Sequence, residues 1–162
     1  MDLYLIRHAD AKPLGEDGIR SDEERPLTDK GRDQSKTLAA ILQKKGVQLG
    51  LVVTSPLVRA RQTAEGMLAH WKATPPGLTE CEEISPGGKA RKLSKFLRAQ
   101  SAEAIAVVGH IPGIAEYAAW LIGSKKAQLD LAKAGVAHIV CPDGPRKGEG
   151  TLQWLVTPEW FA

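Results

Sequence analysis

The sequence predicts an α/β domain, folded as a single three-layer α/β/α sandwich around a mostly parallel central sheet. Two observations lead to this prediction. Short apolar segments alternate with stretches of helical periodicity along the whole chain, which is typical of a parallel sheet covered by helices. A length of 162 residues fits one domain with a core of its own. We therefore expect one domain over residues 1–162.

The strands are predicted from short apolar, partly β-branched runs bounded by turn residues. The last two runs are joined by a segment rich in glycine and proline, so we expect them to pair as an antiparallel hairpin. The six predicted strands are residues 3–6, 51–53, 78–82, 105–108, 136–140 and 152–156.

Four amphipathic helices are predicted between these strands. Thr28 is the expected N-cap of the first helix. Ser55 and Pro56 are expected to be the N-cap and the first residue of the second. The third should follow two adjacent glycines, and the fourth should follow Pro112. Residues 10–27 have no apolar periodicity and are predicted to form a loop.

Composition excludes several classes of protein. The chain is 43% hydrophobic and 25% charged, and its net charge is only +3, without the basic stripe of a nucleic-acid binder. No apolar run is long enough to span a bilayer, and the N-terminus lacks the pattern of a signal peptide. We expect a cytoplasmic protein, with a monomer favoured. Cys81 and Cys141 have no metal-site spacing and should be free thiols.

Polar side chains follow three of the predicted strands. Arg7 and His8 end the first, Ser55 and Arg59 follow the second, and His110 follows the fourth. Ligands of open α/β sheets bind at the carboxyl ends of strands. Arginines there can hold a phosphoryl group bidentately, and helix N-termini add further donors. A neutral imidazole among them could attack phosphorus.

Each of these residues also has an ordinary explanation. A single histidine at a strand end is more often structural, and Arg59 alone could be a solvated charge. A metal site would need a third ligand and would not place arginines beside the cation. His70 and His138 have no such polar neighbours, so we expect both to be structural.

Four segments of the chain together resemble the histidine phosphatase superfamily, which has the phosphoglycerate-mutase-like fold. Their order and spacing match the superfamily, and the resemblance covers essentially the whole chain. The four segments are LYLIRHADA at residues 3–11, RPLTDKGR at 25–32, TSPLVRARQT at 54–63 and VGHIP at 108–112.

The resemblance implies a role for each matching residue. His8 would be the nucleophile that accepts the phosphoryl group, and Arg7, Arg59 and His110 would complete the phosphate pocket. It also implies a phosphatase that needs no metal ion or other cofactor. Ala9 stands where the superfamily most often has glycine, and alanine there is typical of its short phosphohistidine phosphatase branch.

The proton donor is left open by the sequence. Glu83 falls near the position of the acid in the mutase-like members, which would make it catalytic. The alternative is a solvated glutamate at a strand end. Phosphohistidine needs such an acid less than a phosphate ester does, because imidazole is a better leaving group than an alkoxide.

Chain length bears on the substrate. The segment between Arg59 and Gly109 has room only for the predicted core elements, so we expect no lid subdomain and an open pocket. An open pocket suits a phosphorylated side chain on a partner protein in signal transduction, either a phosphotransfer domain or a phosphocarrier. Two alternatives remain: a phosphatase of a small phosphomonoester, and a phosphoprotein-binding module without catalysis.

Overall fold

The computed structural model describes residues 1–72 and 74–161, in which one sheet carries helices on both faces. The strands are β1 Asp2–Arg7, β2 Leu51–Thr54, β3 Gly77–Glu80, β4 Ala104–Gly109, β5 Val136–Val140 and β6 Thr151–Val156. The helices are α1 Asp29–Lys44, α2 Val58–Ala69, α3 Ala90–Arg98 and α4 Gly113–Leu121.

The sheet is mixed but mostly parallel, as predicted. Its strand order is β3-β2-β4-β1-β5-β6. β3, β2, β4 and β1 run parallel, while β5 is antiparallel to both β1 and β6. The expected hairpin of the last two strands is therefore confirmed. In the register of the parallel strands, Arg7 lies beside Gly109 and Thr54 lies beside Val108. Consequently β1, β2 and β4 end at one edge.

Side chains of β1 alternate between two hydrophobic cores. Leu3 and Leu5 pack with residues of α3 and α4, whereas Tyr4 and Ile6 pack with residues of α1 and α2. All four are nearly or fully buried, as expected for a strand covered on both faces. The predicted three-layer sandwich is confirmed.

The start of α1 is held by a cap and by a close backbone approach. The Thr28 hydroxyl accepts a hydrogen bond from the Gly31 N–H at 3.0 Å, which confirms the predicted N-cap. A Cβ on Gly31 would lie 2.0 Å from the Asp10 carbonyl oxygen, so only glycine fits there. This contact fixes the chain that leaves β1 against α1.

The predicted start of α2 is wrong by two residues. The helix begins at Val58, and its N-cap is Leu57, which provides no side-chain cap. The Ser55 hydroxyl accepts from the Leu57 N–H at 3.3 Å and also bonds His110 Nε2 at 2.9 Å. Ser55 therefore serves the turn between β2 and α2 and its neighbour on β4.

Residues 10–27 form a loop, as predicted, which is closed at its base by a bridge between the buried residues Ala11 and Leu27. Within residues 1–72 and 74–161 there is no lid subdomain over the carboxyl edge of the sheet. Both cysteines are buried free thiols. No helix in this described part of the chain has the length and hydropathy of a membrane span.

Candidate active site

Backbone hydrogen bonds join the three strand ends that were predicted to carry the site. The His8 N–H donates to the Gly109 carbonyl at 2.9 Å, and the Ser55 N–H donates to the Val108 carbonyl at 3.0 Å. The first and second junctions are thus both tied to the fourth. The structure brings His8, Arg59 and His110 together, as the sequence predicted.

The imidazole of His8 is buried and has a defined tautomer. Nδ1 lies 2.7 Å from the Ala9 carbonyl oxygen. Because a carbonyl can only accept, Nδ1 carries the proton. In the neutral ring Nε2 then has a free lone pair, and it accepts a hydrogen bond from Arg59 Nε at 3.3 Å. The nitrogen able to act as a nucleophile therefore faces a guanidinium.

The environment keeps His8 neutral. Burial lowers its pKa to about 4, and the charges of Arg59, Arg7 and Arg25 act in the same direction. The hydrogen bond to the Ala9 carbonyl opposes this change without reversing it. At neutral pH the lone pair of Nε2 is consequently available.

Arg59 is buried, with only 4% of its surface exposed, although it carries a full charge. It lies in the first turn of α2, where the Thr63 hydroxyl donates to its carbonyl at 2.7 Å. Thr63 also accepts from the Ala9 N–H at 3.0 Å. One threonine therefore links the helix that carries Arg59 to the residue after His8.

Arg7 is held by one end of its guanidinium. Its Nη1 donates to the Leu131 carbonyl at 2.9 Å. Its Nε is buried and has no hydrogen-bond partner among the described residues. A buried donor of this kind is costly to leave unpaired, and an oxygen of a bound anion would satisfy it.

His110 lies beside His8, with 5.1 Å between their ring centroids. Its Nε2 bonds the Ser55 hydroxyl at 2.9 Å. Burial lowers the pKa of His110 to about 3, with a smaller contribution from the charge of Arg59. The site therefore combines two neutral imidazoles with two arginines, a set suited to binding an anion and attacking it.

Glu83 lies at the rim of the site. It lines a cleft of about 340 Å³ that His110 also lines. Its carboxylate accepts from the Lys89 N–H at 3.1 Å and lies 3.4 Å from Lys92 Nζ. These contacts hold the pKa of Glu83 below its usual value. A carboxylate stabilised in its ionised form is a poor proton donor.

Sequence reasoning missed Asp22 as a residue of the site. Its carboxylate oxygen Oδ2 accepts from Arg59 Nη2 at 2.8 Å, and its other oxygen accepts from Arg25 Nη1 at 2.9 Å. Residues 10–27 were predicted as a loop, and no local pattern distinguishes Asp22 from its acidic neighbours. The one available signal was the need of a buried arginine for a counterion.

The remaining histidines lie outside this cluster. His138 bonds Asp2 at 2.6 Å and stacks on Tyr4 within the sheet. His70 ends α2 and bonds the Gly66 carbonyl at 2.8 Å. Across the described part of the chain, no group of three or more potential ligands is arranged to hold a metal ion.

Comparison with known proteins assigns the family. A sequence model of the histidine phosphatase superfamily (branch 1) matches residues 3–104. The chain therefore belongs to this superfamily. An uncharacterised protein of Picosynechococcus sp. is 33% identical, and the match covers 99% of each chain.

Two further similarities concern the phosphohistidine phosphatase SixA. SixA of Escherichia coli (strain K12) is 29% identical, over 98% of this chain and 94% of SixA. A solved structure of the protein histidine phosphatase SixA, complexed with tungstate, matches with a TM-score of 0.87 at 26% identity and covers 100% of both chains. Membership of the superfamily and similarity to SixA support a phosphatase, and hence a hydrolase.

The two buried histidines should make folding sensitive to mild acid. Between pH 7.0 and 5.5 the unfolded chain protonates histidines at their ordinary pKa of 6.5, while folded His8 and His110 stay neutral. The stability that these two neutral histidines contribute is therefore fully present above pH 6.5 and is lost as the pH is lowered. Between pH 7.0 and 5.5 we expect His8 and His110 each to account for a loss of about 1 kcal/mol in the free energy of unfolding, measured by urea unfolding at the two pH values.

A matched substitution isolates the effect. His110→Asn should reduce the loss of stability by about 1 kcal/mol, compared with His70→Asn, which removes an exposed histidine outside the site. An unchanged loss in His110→Asn would show that this histidine is not held neutral in the folded protein.

Proposed function

We propose that this protein hydrolyses phosphohistidine on a partner protein through a phosphorylated His8. The observation that carries the proposal is the tautomer of His8. Its Nδ1 proton is bound to the Ala9 carbonyl, and its Nε2 lone pair faces Arg59. A neutral imidazole in this arrangement is a nucleophile placed beside a group that binds phosphate.

In the first step, Nε2 of His8 attacks the phosphorus of the substrate. The Nε2–P bond forms as the bond from phosphorus to the leaving imidazole breaks. That imidazole carries a proton from solvent on its other ring nitrogen, keeps the electron pair of the broken bond and leaves as a neutral ring. Arg7 and Arg59 hold the oxygens of the phosphoryl group during transfer. The hydrogen bond from Nδ1 to the Ala9 carbonyl stabilises the positive charge that develops on His8.

In the second step, water attacks the phosphorus of phospho-His8. The water oxygen bonds to phosphorus, the Nε2–P bond breaks with its electrons returning to Nε2, and inorganic phosphate leaves with the protons of the water. His8 is then neutral, with its proton on Nδ1, and its low pKa keeps it so. An edge without a lid admits water readily, which favours hydrolysis over transfer to a second acceptor.

Phosphohistidine is the proposed substrate for two reasons. The first is similarity to SixA, a phosphohistidine phosphatase. The second is the state of Glu83, whose contacts with Lys89 and Lys92 favour the ionised carboxylate. A site with a poor proton donor suits a leaving group that needs little protonation.

We extend the proposal to the partner and to the cell. The partner would be a phosphotransfer domain or a phosphocarrier of a signalling system. The protein would act on it in the cytoplasm, as one catalytic domain formed by residues 1–162. The open carboxyl edge supports a protein substrate. For the basic side chains at Lys89 and along α3, a solvated helix face is a simpler explanation than a docking surface. No metal ion is required, since the arginines supply positive charge and the neutral histidines need not.

Replacement of His8 by alanine should abolish turnover, because it removes the imidazole whose Nε2 lone pair faces Arg59, whereas Nε2 of His110 is engaged with the Ser55 hydroxyl. The measurement is hydrolysis of a phosphohistidine protein and of a panel of sugar and nucleotide phosphates, in the presence of a chelator. Wild type should act on the phosphohistidine protein and little on the panel. His70→Ala removes a histidine outside the site and should keep full activity.

Three outcomes would contradict this account. Appreciable turnover by folded His8→Ala would exclude the nucleophile. Preference for a small phosphate ester would favour that class of substrate. Loss of activity in chelator, restored by one added metal, would exclude metal-independent catalysis.

Conservative substitutions should separate the arginine from the glutamate. Arg59→Lys keeps the charge but loses the planar fork, so kcat/KM should fall on the order of 100-fold on both substrate types. Glu83→Gln should change kcat/KM little for phosphohistidine and more for an alkyl phosphate ester, whose alkoxide needs a proton. Large, equal losses for Glu83→Gln on both substrates would make Glu83 catalytic after all.

A further inference from the structure

Asp22 binds the guanidinium of Arg59, which lies beside His8, the candidate nucleophile. Its Oδ2 accepts from Arg59 Nη2 at 2.8 Å, and its backbone carbonyl accepts from Arg59 Nη1 at 2.6 Å. The same guanidinium donates through Nε to His8 Nε2 at 3.3 Å. Arg59 thus contacts both the Asp22 carboxylate and Nε2 of His8, the atom proposed to attack phosphorus.

A second arginine completes the arrangement. Arg25 Nη1 donates to Asp22 Oδ1 at 2.9 Å, and Arg25 Nε donates to the Lys12 carbonyl at 2.6 Å. Two guanidinium groups therefore converge on one carboxylate, each on its own oxygen. Carboxylate and phosphoryl oxygens are equivalent acceptors for arginine, so Asp22 has the contacts that a phosphoryl group would have.

The Asp22 side chain can leave this position while Arg59 stays in place. The Asp22 side chain is 51% exposed and that of Arg59 only 5%. Residues 13–18 and 22–24 of the loop are exposed, whereas Arg59 is part of α2. Departure of Asp22 requires side-chain rotation in a loop, whereas departure of Arg59 would move a buried charge.

We propose that Asp22 competes within the protein for Arg59, so that substrate displaces its carboxylate and product phosphate is displaced by it. This inference rests on the proposed function, because it takes Arg59 as the group that binds the phosphoryl oxygens. When phosphate leaves, the returning carboxylate restores the hydrogen bonds and the counterion of a buried guanidinium. Asp22 therefore weakens binding of inorganic phosphate and limits inhibition by product.

The opposite role is that Asp22 orients Arg59 for phosphate. The two roles predict changes of opposite sign. Asp22→Asn retains an oxygen that can accept one N–H but removes the negative charge. If Asp22 competes, this substitution strengthens phosphate binding. If Asp22 orients Arg59, the substitution leaves phosphate binding unchanged or weakens it.

The experiment measures binding of inorganic phosphate by titration calorimetry at pH 7.5. Asp22→Asn should lower the Kd for phosphate roughly threefold to tenfold, the range for a half-exposed ion pair with a buried arginine. Glu24→Gln is the matched control. It removes the same charge from the same loop, at a side chain that makes no ion pair among the described residues, and should change Kd less than twofold.

Ionic strength and a second variant complete the test. The gain in Asp22→Asn should persist at high salt, because competition for contacts is screened far less than long-range repulsion. Asp22→Ala should also bind phosphate more tightly than the wild type. Equal or weaker binding in both Asp22 variants would overturn the inference and leave the proposed function intact. Undiminished phosphate binding in Arg59→Lys would overturn the proposed function together with the inference about Asp22.

Discussion

The hydrogen bond between His8 Nδ1 and the Ala9 carbonyl, at 2.7 Å, determines what the imidazole can do. It fixes the proton on Nδ1 and leaves the lone pair on Nε2. Burial and neighbouring arginines keep the ring neutral, with a pKa of about 4. Other parts of the site support this one contact. The Ala9 N–H is held by Thr63 at 3.0 Å, so the peptide that orients His8 is anchored to α2.

The parallel sheet supplies the second constraint. Because β1, β2 and β4 run in one direction, their carboxyl ends meet, and each strand delivers a polar group to the same edge. Arg59 then lies in the interior with 4% exposure, where an unpaired charge would be costly. The loop of residues 10–27 meets this need through Asp22, which links the loop to the chemistry of the site.

The sequence predicted the fold well where the pattern is local. β1, the hairpin of β5 and β6, and the Thr28 cap follow from apolar runs and capping chemistry within a few residues. The start of α2 was misplaced because the Ser55 hydroxyl bonds His110, far away in the chain. Asp22 was missed for the same reason, because its partner Arg59 is distant in sequence and their ion pair cannot be deduced from spacing. Nor does spacing show that Glu83 is held as an ionised carboxylate.

Trapping the phosphorylated protein tests the central claim most directly. Wild type is mixed with a phosphohistidine protein labelled on the phosphoryl group, quenched in alkali within the first turnover, and digested to locate the label. Phosphorus NMR of the trapped protein then distinguishes an Nε2 adduct from an Nδ1 adduct. The account predicts label on His8, bound through Nε2, because Nδ1 is committed to the Ala9 carbonyl. Label on another residue, label on Nδ1, or turnover without any labelled protein would contradict it.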